Sequence, residues 1–538
     1  MTFTVTLVLR RRAPVPALDA MASLLPAQRQ YLPPEELEAR YGALPEDLER
    51  VARFAREAGL EVRECDARAA LVSVTGSWGA LSAVFGARVP VELEDCVRWI
   101  FGLTLPRTRR PATTYLPRLP PALMTPEETP EEGALRHTSY TAPEVARFYE
   151  YPPLKGEGQC LGLLMLAGGY LESDMRAYCD SLGMEPPSLV NVGAHTMDPS
   201  WVPNGEVTLS LQIAAAVCPR ARIVLYHARE PGLAGYFDVL RTAIFDPVNR
   251  PSVLSVSWSF PELEGLGPTR EEAALFDELF RLAGLQGITL CSSCGDYGSL
   301  MPVIQSGFAT LAPAANFSAT SPHVLGCGGT TLHASNGAPS HETVWNRLGE
   351  LALWLPADAE VTELFSFPMA TGGGVSRMFP LPDYQREARV PETLLRIWKK
   401  FVLLRTERHA GRGTPDVAAN ADLLTGYRIY FDGELCSGGG TSAAAPMWAA
   451  LVLLINEGLA LNHGPHVRVG WLNPLLYRMR LEERADIVRP ISQGNNGGYE
   501  ASGGGAWNAC TGLGSPKGRA LAEALGAWPV RGPVLSAP

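Results

Sequence analysis

The amino-acid sequence predicts an α/β protein with two folded units, a small α/β module followed by a larger domain built on a parallel sheet. Three observations predict this organisation. The chain has 538 residues, which is too long for one hydrophobic core of ordinary size. A proline-rich stretch interrupts it at residues 106–130. Beyond that stretch, apolar runs bounded by glycine alternate with helix-forming segments, a pattern typical of a doubly wound parallel sheet.

The N-terminal module is predicted to comprise residues 1–104. Two short apolar strands, FTVTLVL and ALVSVTG, alternate there with charged helical segments such as PEDLERVARFAREAGL. A further helix, SWGALSAVFG, precedes a strand-like run near VRWIFGL. Short elements of both kinds indicate a small accessory α/β domain.

Residues 105–137 are predicted to be a linker. Seven prolines lie between positions 106 and 130, together with the polar run TPEETPEEG. Because such a composition cannot bury a core, we expect an extended segment that contains a proteolytic processing site.

Residues 138–530 are predicted to form the larger domain. Its predicted strands are GQCLGLLML, ARIVLYHA, PSVLSVSWS, ITLCSSCGD and HVLGCGGTTLH, and helices such as GEVTLSLQIAAAVCP lie between them. Active sites of doubly wound sheets lie at the carboxyl ends of the strands. Polar residues in the glycine turns that follow these strands are therefore site candidates.

Bulk composition excludes several classes of function. A net charge of -10 offers no basic surface for nucleic acid. Ten cysteines are too few for a disulfide framework in a chain of this length, and the single CSSC pair does not predict zinc. We also expect no membrane partner, because no apolar stretch is predicted to span a bilayer. The N-terminal arginines follow the apolar run, the reverse of a signal peptide, so localisation stays open.

A glycine run places Ser442 at the start of an apolar helix, in CSGGGTSAAAPMWAALVLLIN. A serine on such a turn is accessible, and the free N–H groups of the helix start can stabilise an oxyanion. The alternative is a simple helix cap after a flexible loop. A catalytic serine also needs a base. The histidines of HGPHV (463–467) lie in a predicted surface loop, and we interpret that motif as coincidental.

Carboxylates are the other candidate bases. Glu206 lies on a predicted helix with Ser210 one turn further on, so the two share a face. Asp296 follows a buried strand in CGDYG. Each has an ordinary structural explanation, since an acidic residue suits a first helical turn or a tight loop turn equally well.

Several segments, in order along the chain, resemble the sedolisins, the serine-carboxyl peptidases that include kumamolisins and tripeptidyl-peptidase I. Three of them contain the site candidates: GGTSAAAP with Ser442, SSCGDYG with Asp296, and GEVTL with Glu206. Further matches are LAGGY, SVSWS, VLGCGGTTL, ETVWN, GGGVSRMFPLPDYQ, GRGTPDVAANADLLTGYRIYFDG and WNACTGLGSP. The N-terminal module is similar to the family's activation pro-domain, so the resemblance covers nearly the whole chain.

The resemblance implies a subtilisin-like fold and an acid-acting serine-type peptidase. It makes Ser442 the nucleophile, Glu206 the general base and Asp296 a protonated partner of the oxyanion. A glutamate base suits acid pH because a histidine would be protonated there. The implied partners are peptide or protein substrates and the chain's own pro-domain as an intramolecular inhibitor. We expect a monomer, and the family suggests secretion or an acidic compartment.

Two positions depart from the family pattern. The resemblance implies an aspartate four residues after the base, where this chain has Ser210, and a glutamate before the GGY turn, where it has Met165. Ser210 can hydrogen-bond to Glu206 but cannot share a proton as a carboxylate does, and Met165 can do neither. Loss of the third triad member costs on the order of 10⁴-fold in kcat in subtilisin and leaves activity above background.

The resemblance also implies one Ca²⁺ site. The positions that correspond to its ligands are Asp486, Ile487, Gly504, Ala506 and Asn508. Asparagine at position 508 removes a negative charge on which calcium affinity depends. We predict either a weakened calcium site or direct hydrogen bonding in place of the ion.

Two functional hypotheses follow from the sequence. The first is an endopeptidase or tripeptidyl-peptidase that removes its own pro-domain, based on the retained Ser442, Glu206 and Asp296. The second is a pseudoprotease that binds peptides or proteins, based on the changes at positions 210 and 165. A third, weaker possibility is a latent protein whose pro-domain is never released.

Overall fold

The structure is a computed structural model of the full chain. It describes residues 2–86, 88–103, 139–199, 202–263, 265–305, 308–313, 315–335, 338–347, 370–399, 402–501 and 506–530. For the described residues within 300–313 and 393–407, it describes the backbone alone. The predicted linker, residues 105–137, lies outside the described residues.

The N-terminal module folds around a four-stranded antiparallel sheet with the strand order β2-β3-β1-β4. Its strands are β1 (Phe3–Leu9), β2 (Glu61–Asp66), β3 (Leu71–Gly76) and β4 (Val97–Phe101), and its helices are α1 (Asp19–Ala22), α2 (Pro34–Tyr41), α3 (Pro45–Glu57) and α4 (Trp78–Phe85). The strands and helices predicted from the sequence are all present. The prediction missed α2 and the edge strand β2, whose half-exposed sequence EVRECD has no buried apolar run.

Helix α3 shows how the sequence forms this module. Pro45 occupies the first turn, where its missing N–H is not needed, and Glu46 and Asp47 add favourable charges at the helix N-terminus. Val51 and Ala55 lie one turn apart on the same face and are buried. They join β1 and β3 in the core of the module.

The larger domain is built on an eight-stranded sheet. Its strands are β5 (Cys160–Met165), β6 (Ser188–Val192), β7 (Arg222–His227), β8 (Val253–Val256), β10 (Thr289–Ser293), β14 (Leu325–Ser335), β15 (Ala338–Val344) and β20 (Val417–Asn420). The order β6-β7-β5-β8-β10-β14-β20 is parallel throughout, and β15 pairs antiparallel with β14. The predicted fold class, a parallel-sheet domain preceded by a smaller α/β module, is confirmed.

Helices cover both faces of this sheet. They are α5 (Ala142–Phe148), α6 (Glu172–Leu182), α7 (Val202–Val217), α8 (Gly232–Ile244), α9 (Arg270–Leu285), α10 (Thr441–His463), α11 (Asn473–Tyr477) and α12 (Gly518–Ala524), with a π-helical turn at Arg478–Glu482. Alternate residues of the central strands divide between two hydrophobic clusters, as the pleat of a sheet requires. One cluster contains α5, α7 and α10, and the other contains α8 and α9.

The remaining strands form short two-stranded pairs around the sheet. They are β9 (Phe260–Pro261) with β13 (Asn316–Phe317), β11 (Leu300–Gln305) with β12 (Phe308–Pro313), β16 (Gly374–Val375) with β19 (Gly413–Thr414), β17 (Thr393–Lys399) with β18 (Val402–His409), β21 (Tyr427–Phe431) with β22 (Glu434–Gly438), and β23 (Val488–Arg489) with β24 (Ser515–Pro516).

Helix α10 is the central helix of the larger domain. It is long and apolar enough to cross a membrane, with a mean hydropathy of 1.6 in its most apolar window. We expected no stretch of that kind, so this prediction was wrong for length and composition. Since 89% of the window is buried inside the domain, its apolar surface is that of a core helix.

The N-terminal module packs on the face of the sheet that carries α8 and α9. Phe101 of β4 stacks on Phe237 of α8, with ring centroids 4.7 Å apart. Arg241 of α8 forms an ion pair with Glu64 of β2 at 2.7 Å. A single hydrophobic cluster therefore continues from the larger domain into the module.

Candidate active site

The predicted site residues converge at the carboxyl ends of the parallel strands. Asp296 lies in the turn after β10, and the start of α10 places Ser442 beside it. Glu206 and Ser210 lie on α7, which packs against α10 in the same core. In the intact chain all four residues are buried.

Ser442 is the second residue of α10. Gly440, which precedes the helix, has a φ of 82°, a left-handed conformation that glycine adopts without strain. The Ser442 hydroxyl donates to the carbonyl oxygen of Ser257 at 3.3 Å. Ser257 follows β8 directly, so the nucleophile candidate is tied to the end of a central strand.

A proline inside α10 shapes the backbone at Ser442. Pro446 lies in the second turn of the helix. Because proline has no N–H, the carbonyl oxygen of Ser442 lacks the usual helical donor four residues on. The Ser257 hydroxyl donates to that oxygen instead, at 3.1 Å.

Asp296 is held by the residue before the candidate nucleophile. Its Oδ1 accepts hydrogen bonds from the backbone N–H of Thr441 at 2.8 Å and from the Thr441 hydroxyl at 2.7 Å. The Thr441 hydroxyl in turn accepts from the N–H of Gly295 at 3.0 Å. Asp296 therefore caps α10 through Oδ1, and a proton on this carboxyl would sit on Oδ2.

Glu206 is a buried acid whose pKa is strongly raised. Burial raises the pKa of Glu206 to about 8, and the nearby charge of Asp296 contributes to the rise. The hydroxyls of Ser442, Ser257 and Ser210 oppose it by hydrogen bonding to the ionised form. Both Ser442 and Asp296 thus shift the pKa of the Glu206 carboxyl, so the three candidate residues lie in one cluster.

The Ser210 hydroxyl contacts Ser257 as well as Glu206. Its hydroxyl lies 3.0 Å from the hydroxyl of Ser257, and Ser257 bridges from there to the backbone of Ser442. The two serines occupy space next to Glu206 where the family pattern implies a carboxylate. Ser257 and Thr441 were not among the predicted site residues, although Ser257 lies within the predicted strand PSVLSVSWS.

Met165 lies at the end of β5 and is buried. Its strand partner in β7 is His227, whose pKa is lowered to about 4 by burial and by the charge of His195. Met165 contributes a backbone carbonyl, which accepts from the N–H of Ala228, and its thioether supplies no proton. The carboxylate network implied by the resemblance therefore ends at Glu206.

The positions predicted to bind calcium lie far from this cluster in the chain, around β23 and β24. Asp486 is exposed and forms an ion pair with Lys517. Ile487 accepts a backbone hydrogen bond from Lys517, and Asn508 is hydrogen-bonded within its own loop. Ala506 is exposed, and Gly504 lies outside the described residues. Among the described residues no group of three or more His, Cys, Asp or Glu side chains could hold a metal ion.

Comparison with known proteins shows that this chain is similar to peptidases. A family model described as the pro-kumamolisin activation domain matches residues 2–91. Kumamolisin from Bacillus sp. (strain MN-32) is 34% identical over 97% of this chain and 91% of its own length. Sedolisin from Pseudomonas sp. (strain 101) is 27% identical over 53% of this chain and 42% of its own length.

A solved structure shares the fold. It is Pseudomonas sedolisin, a serine-carboxyl proteinase, complexed with two molecules of pseudo-iodotyrostatin. It superposes with a TM-score of 0.57 at 23% sequence identity, and covers 72% of this chain and 98% of that chain. At this level of identity the match shows the fold alone.

Proposed function

This chain belongs to the sedolisin family of serine-carboxyl peptidases, and from that premise we propose that it hydrolyses peptide bonds through an acyl-enzyme on Ser442. One observation carries the proposal: Ser442, Glu206 and Asp296 form one buried cluster at the carboxyl ends of the strands. The pKa of Glu206 depends on both of the other residues, as expected of groups that exchange a proton during one reaction.

Each of these three residues has one role in the proposed hydrolysis. Ionised Glu206 takes the proton of the Ser442 hydroxyl as Oγ attacks the carbonyl carbon of the substrate. The oxyanion that forms accepts a hydrogen bond from protonated Asp296, which Thr441 orients through Oδ1. Collapse breaks the C–N bond, and Glu206 returns its proton to the leaving amine. Glu206 then takes a proton from a water molecule as the water oxygen attacks the acyl carbon, and it returns that proton to Oγ of Ser442 as the ester C–O bond breaks.

Full-length protein is proposed to be the latent form. Ser442 is completely buried in the intact chain, so a substrate cannot reach it without a rearrangement. The activation domain at residues 2–91 supports a role for the N-terminal module, residues 1–104, as an intramolecular inhibitor. We further propose that cleavage within the linker 105–137 releases the peptidase domain, residues 138–530.

The pKa of Glu206 bears on the pH of action. A protonated carboxyl cannot accept the serine proton, so a pKa near 8 in the closed site opposes activity in strong acid. We therefore propose that activity falls once the pH drops below the pKa of Glu206 in the opened site. Water that enters on opening would lower the pKa of Glu206 and widen the active range.

The first experiment compares purified full-length chain with its Ser442→Ala variant between about pH 3 and 8, read by intact mass. Wild-type protein should lose an N-terminal fragment that ends within residues 105–137, and the variant should stay intact. Fragment loss from both proteins would indicate a contaminating protease. Two uncleaved proteins at every pH would contradict self-processing.

A second candidate function is a pseudoprotease that binds peptides. The favouring observation is that Ser210 contacts Ser257 where the family pattern implies a carboxylate. Ser210→Asp combined with Met165→Glu separates the two functions. A slow native enzyme should be active before the change and faster after it, whereas a pseudoprotease should show no Ser442-dependent cleavage before it.

A further inference from the structure

The segment that corresponds to the family's calcium site contains a lysine. Strands β23 and β24 pair antiparallel, and their register brings the residue after β24, Lys517, next to the residues before β23. The backbone N–H of Lys517 donates to the Ile487 carbonyl oxygen at 3.0 Å. Its ammonium group donates to Oδ2 of Asp486. Lys517 thus hydrogen-bonds to both predicted ligand positions next to β23, Asp486 and Ile487.

The ligand position on the facing loop is also engaged. Oδ1 of Asn508 accepts hydrogen bonds from the N–H of Cys510, the N–H of Thr511 and the Thr511 hydroxyl, at 2.9–3.1 Å. Its amide nitrogen donates to the Ile491 carbonyl oxygen at 3.2 Å. An amide oxygen has two lone pairs, so three donors leave none for a cation.

These residues do not fit calcium. Ca²⁺ takes six to eight oxygen ligands, and its affinity follows the number of carboxylates among them. Asp486 supplies the one carboxylate among the described ligand positions, and Lys517 already neutralises it. The side-chain oxygen of Asn508 has protein donors in every acceptor direction, and the Ile487 oxygen already accepts one hydrogen bond.

We propose that the ammonium group of Lys517 takes the place of calcium in this chain, so that the pairing of β23 with β24 and the turn at Asn508 keep their conformation without a divalent cation. The positive charge is covalently attached and the oxygens are satisfied by hydrogen bonds within the protein. This inference concerns stability and does not depend on peptidase activity, so it can fail while the proposed function holds.

The test measures melting temperature in millimolar calcium chloride and in EDTA, on full-length Ser442→Ala protein so that self-cleavage cannot interfere. The parent should melt at the same temperature in both. Lys517→Met should melt a few degrees lower in EDTA. Lys155→Met serves as the matched control, because Lys155 is exposed at the surface and should leave the melting temperature unchanged.

A second variant keeps the proposal falsifiable. Lys517→Met combined with Asn508→Asp removes the internal cation and restores a carboxylate, so calcium should raise its melting temperature and bind in isothermal titration calorimetry. Calcium binding to the parent with a comparable rise in melting temperature would overturn the proposal. Equal melting of Lys517→Met and Lys155→Met in EDTA would overturn it as well, because Lys517 would then have no stabilising role.

Discussion

At the scale of single residues, the position of Ser442 depends on the hydroxyl of Ser257. That hydroxyl replaces the helical donor missing at Pro446 and also contacts Ser210. Ser257 should therefore act as a positioning residue that orients the nucleophile. The same serine contributes to stabilising ionised Glu206.

Ser257→Ala is expected to lower kcat about 5- to 10-fold with little change in KM, the equivalent of about one hydrogen bond. The measurement is steady-state cleavage of a peptide substrate after activation. Ser255→Ala is the matched control, since Ser255 lies in β8 two residues before Ser257 and its buried hydroxyl makes no hydrogen bond to any described residue. Equal losses of kcat in the two variants would contradict a positioning role for Ser257.

Glu206 should also make stability depend on pH. Its folded pKa is raised to about 8, chiefly by burial, above the ordinary value of about 4.3 for an unfolded glutamate. The folded state therefore holds the proton more tightly. This group's contribution to stability is complete below about pH 4.3 and is lost as pH rises through about 8.

Glu206→Gln should remove that loss because glutamine cannot ionise. On a Ser442→Ala background, the variant should melt a few degrees above its parent at about pH 8, and the gap should close toward about pH 4. Glu172→Gln, on an exposed helix start, should show no such trend. A gap that is constant between these pH values would show that the carboxyl is not buried as described.

The sequence predicted the candidate acids and the candidate nucleophile, but not the residues that contact them. Ser442, Glu206 and Asp296 stand out because each follows a glycine turn or lies on an apolar helix. Ser257 and Thr441 are small polar residues of common types, and their importance arises from contacts across 185 and 145 positions of sequence. The effect of Pro446 on Ser442 could not be predicted from the sequence either, because it depends on which donor replaces the missing N–H.

At the scale of elements, the segment between β19 and β20 is fixed by a buried ion pair. Arg412 and Asp416 lie 2.6 Å apart and both are fully buried. Asp416 also accepts hydrogen bonds from Tyr477, Asn473 and the N–H of Gly326. Burial raises the pKa of Asp416, and the charge of Arg412 opposes that rise.

Arg412→Met should destabilise the protein by about 3–5 kcal/mol, because it leaves a buried carboxyl without its cation. Denaturant unfolding of the Ser442→Ala chain measures the change. Arg386→Met is the matched control, since Arg386 and Asp383 form a pair of the same type on the surface, and its cost should be about 0–1 kcal/mol. Similar costs for both variants would mean that burial of the first pair is not maintained.

Elements were predicted well where an apolar run is long and central. The strands β5, β7, β8, β10 and β14 and the helix α7 all follow their predicted segments. Edge strands such as β2 and β6 were missed because partial exposure weakens the apolar signal. The antiparallel strand β15 was also missed, since its sequence APSHETV is half polar.

At the scale of the whole molecule, charged residues join the N-terminal module to the peptidase domain. Glu278 of α9 lies between Arg11 at 2.6 Å and Arg98 at 2.9 Å, and Arg241 pairs with Glu64. The sequence predicted two units and a linker. It could not predict this interface, because each ion pair joins residues about 180 to 270 positions apart.

Acid should weaken that interface. Burial raises the pKa of Glu278, but the charges of Arg11 and Arg98 outweigh it, and the net pKa is lowered. The pKa of Glu64 is lowered in the same way by Arg241. A lowered folded pKa gives stability that is present above the ordinary glutamate value of about 4.3 and lost as pH falls through the lowered value.

Glu278→Gln should therefore loosen the docked module at neutral pH and have little effect in strong acid, where the native carboxylate is also protonated. Hydrogen exchange on Ser442→Ala chains measures this without any cleavage, through the amide of Leu32, which bonds to the Leu285 carbonyl oxygen across the interface. Exchange there should be several-fold faster in the variant at about pH 7, and the difference should vanish below about pH 4.

Glu94→Gln, at an exposed position of the module, should exchange like the parent. Equal protection of Leu32 in all three proteins at neutral pH would mean that apolar contacts such as Phe101 on Phe237 hold the module without help from Glu278.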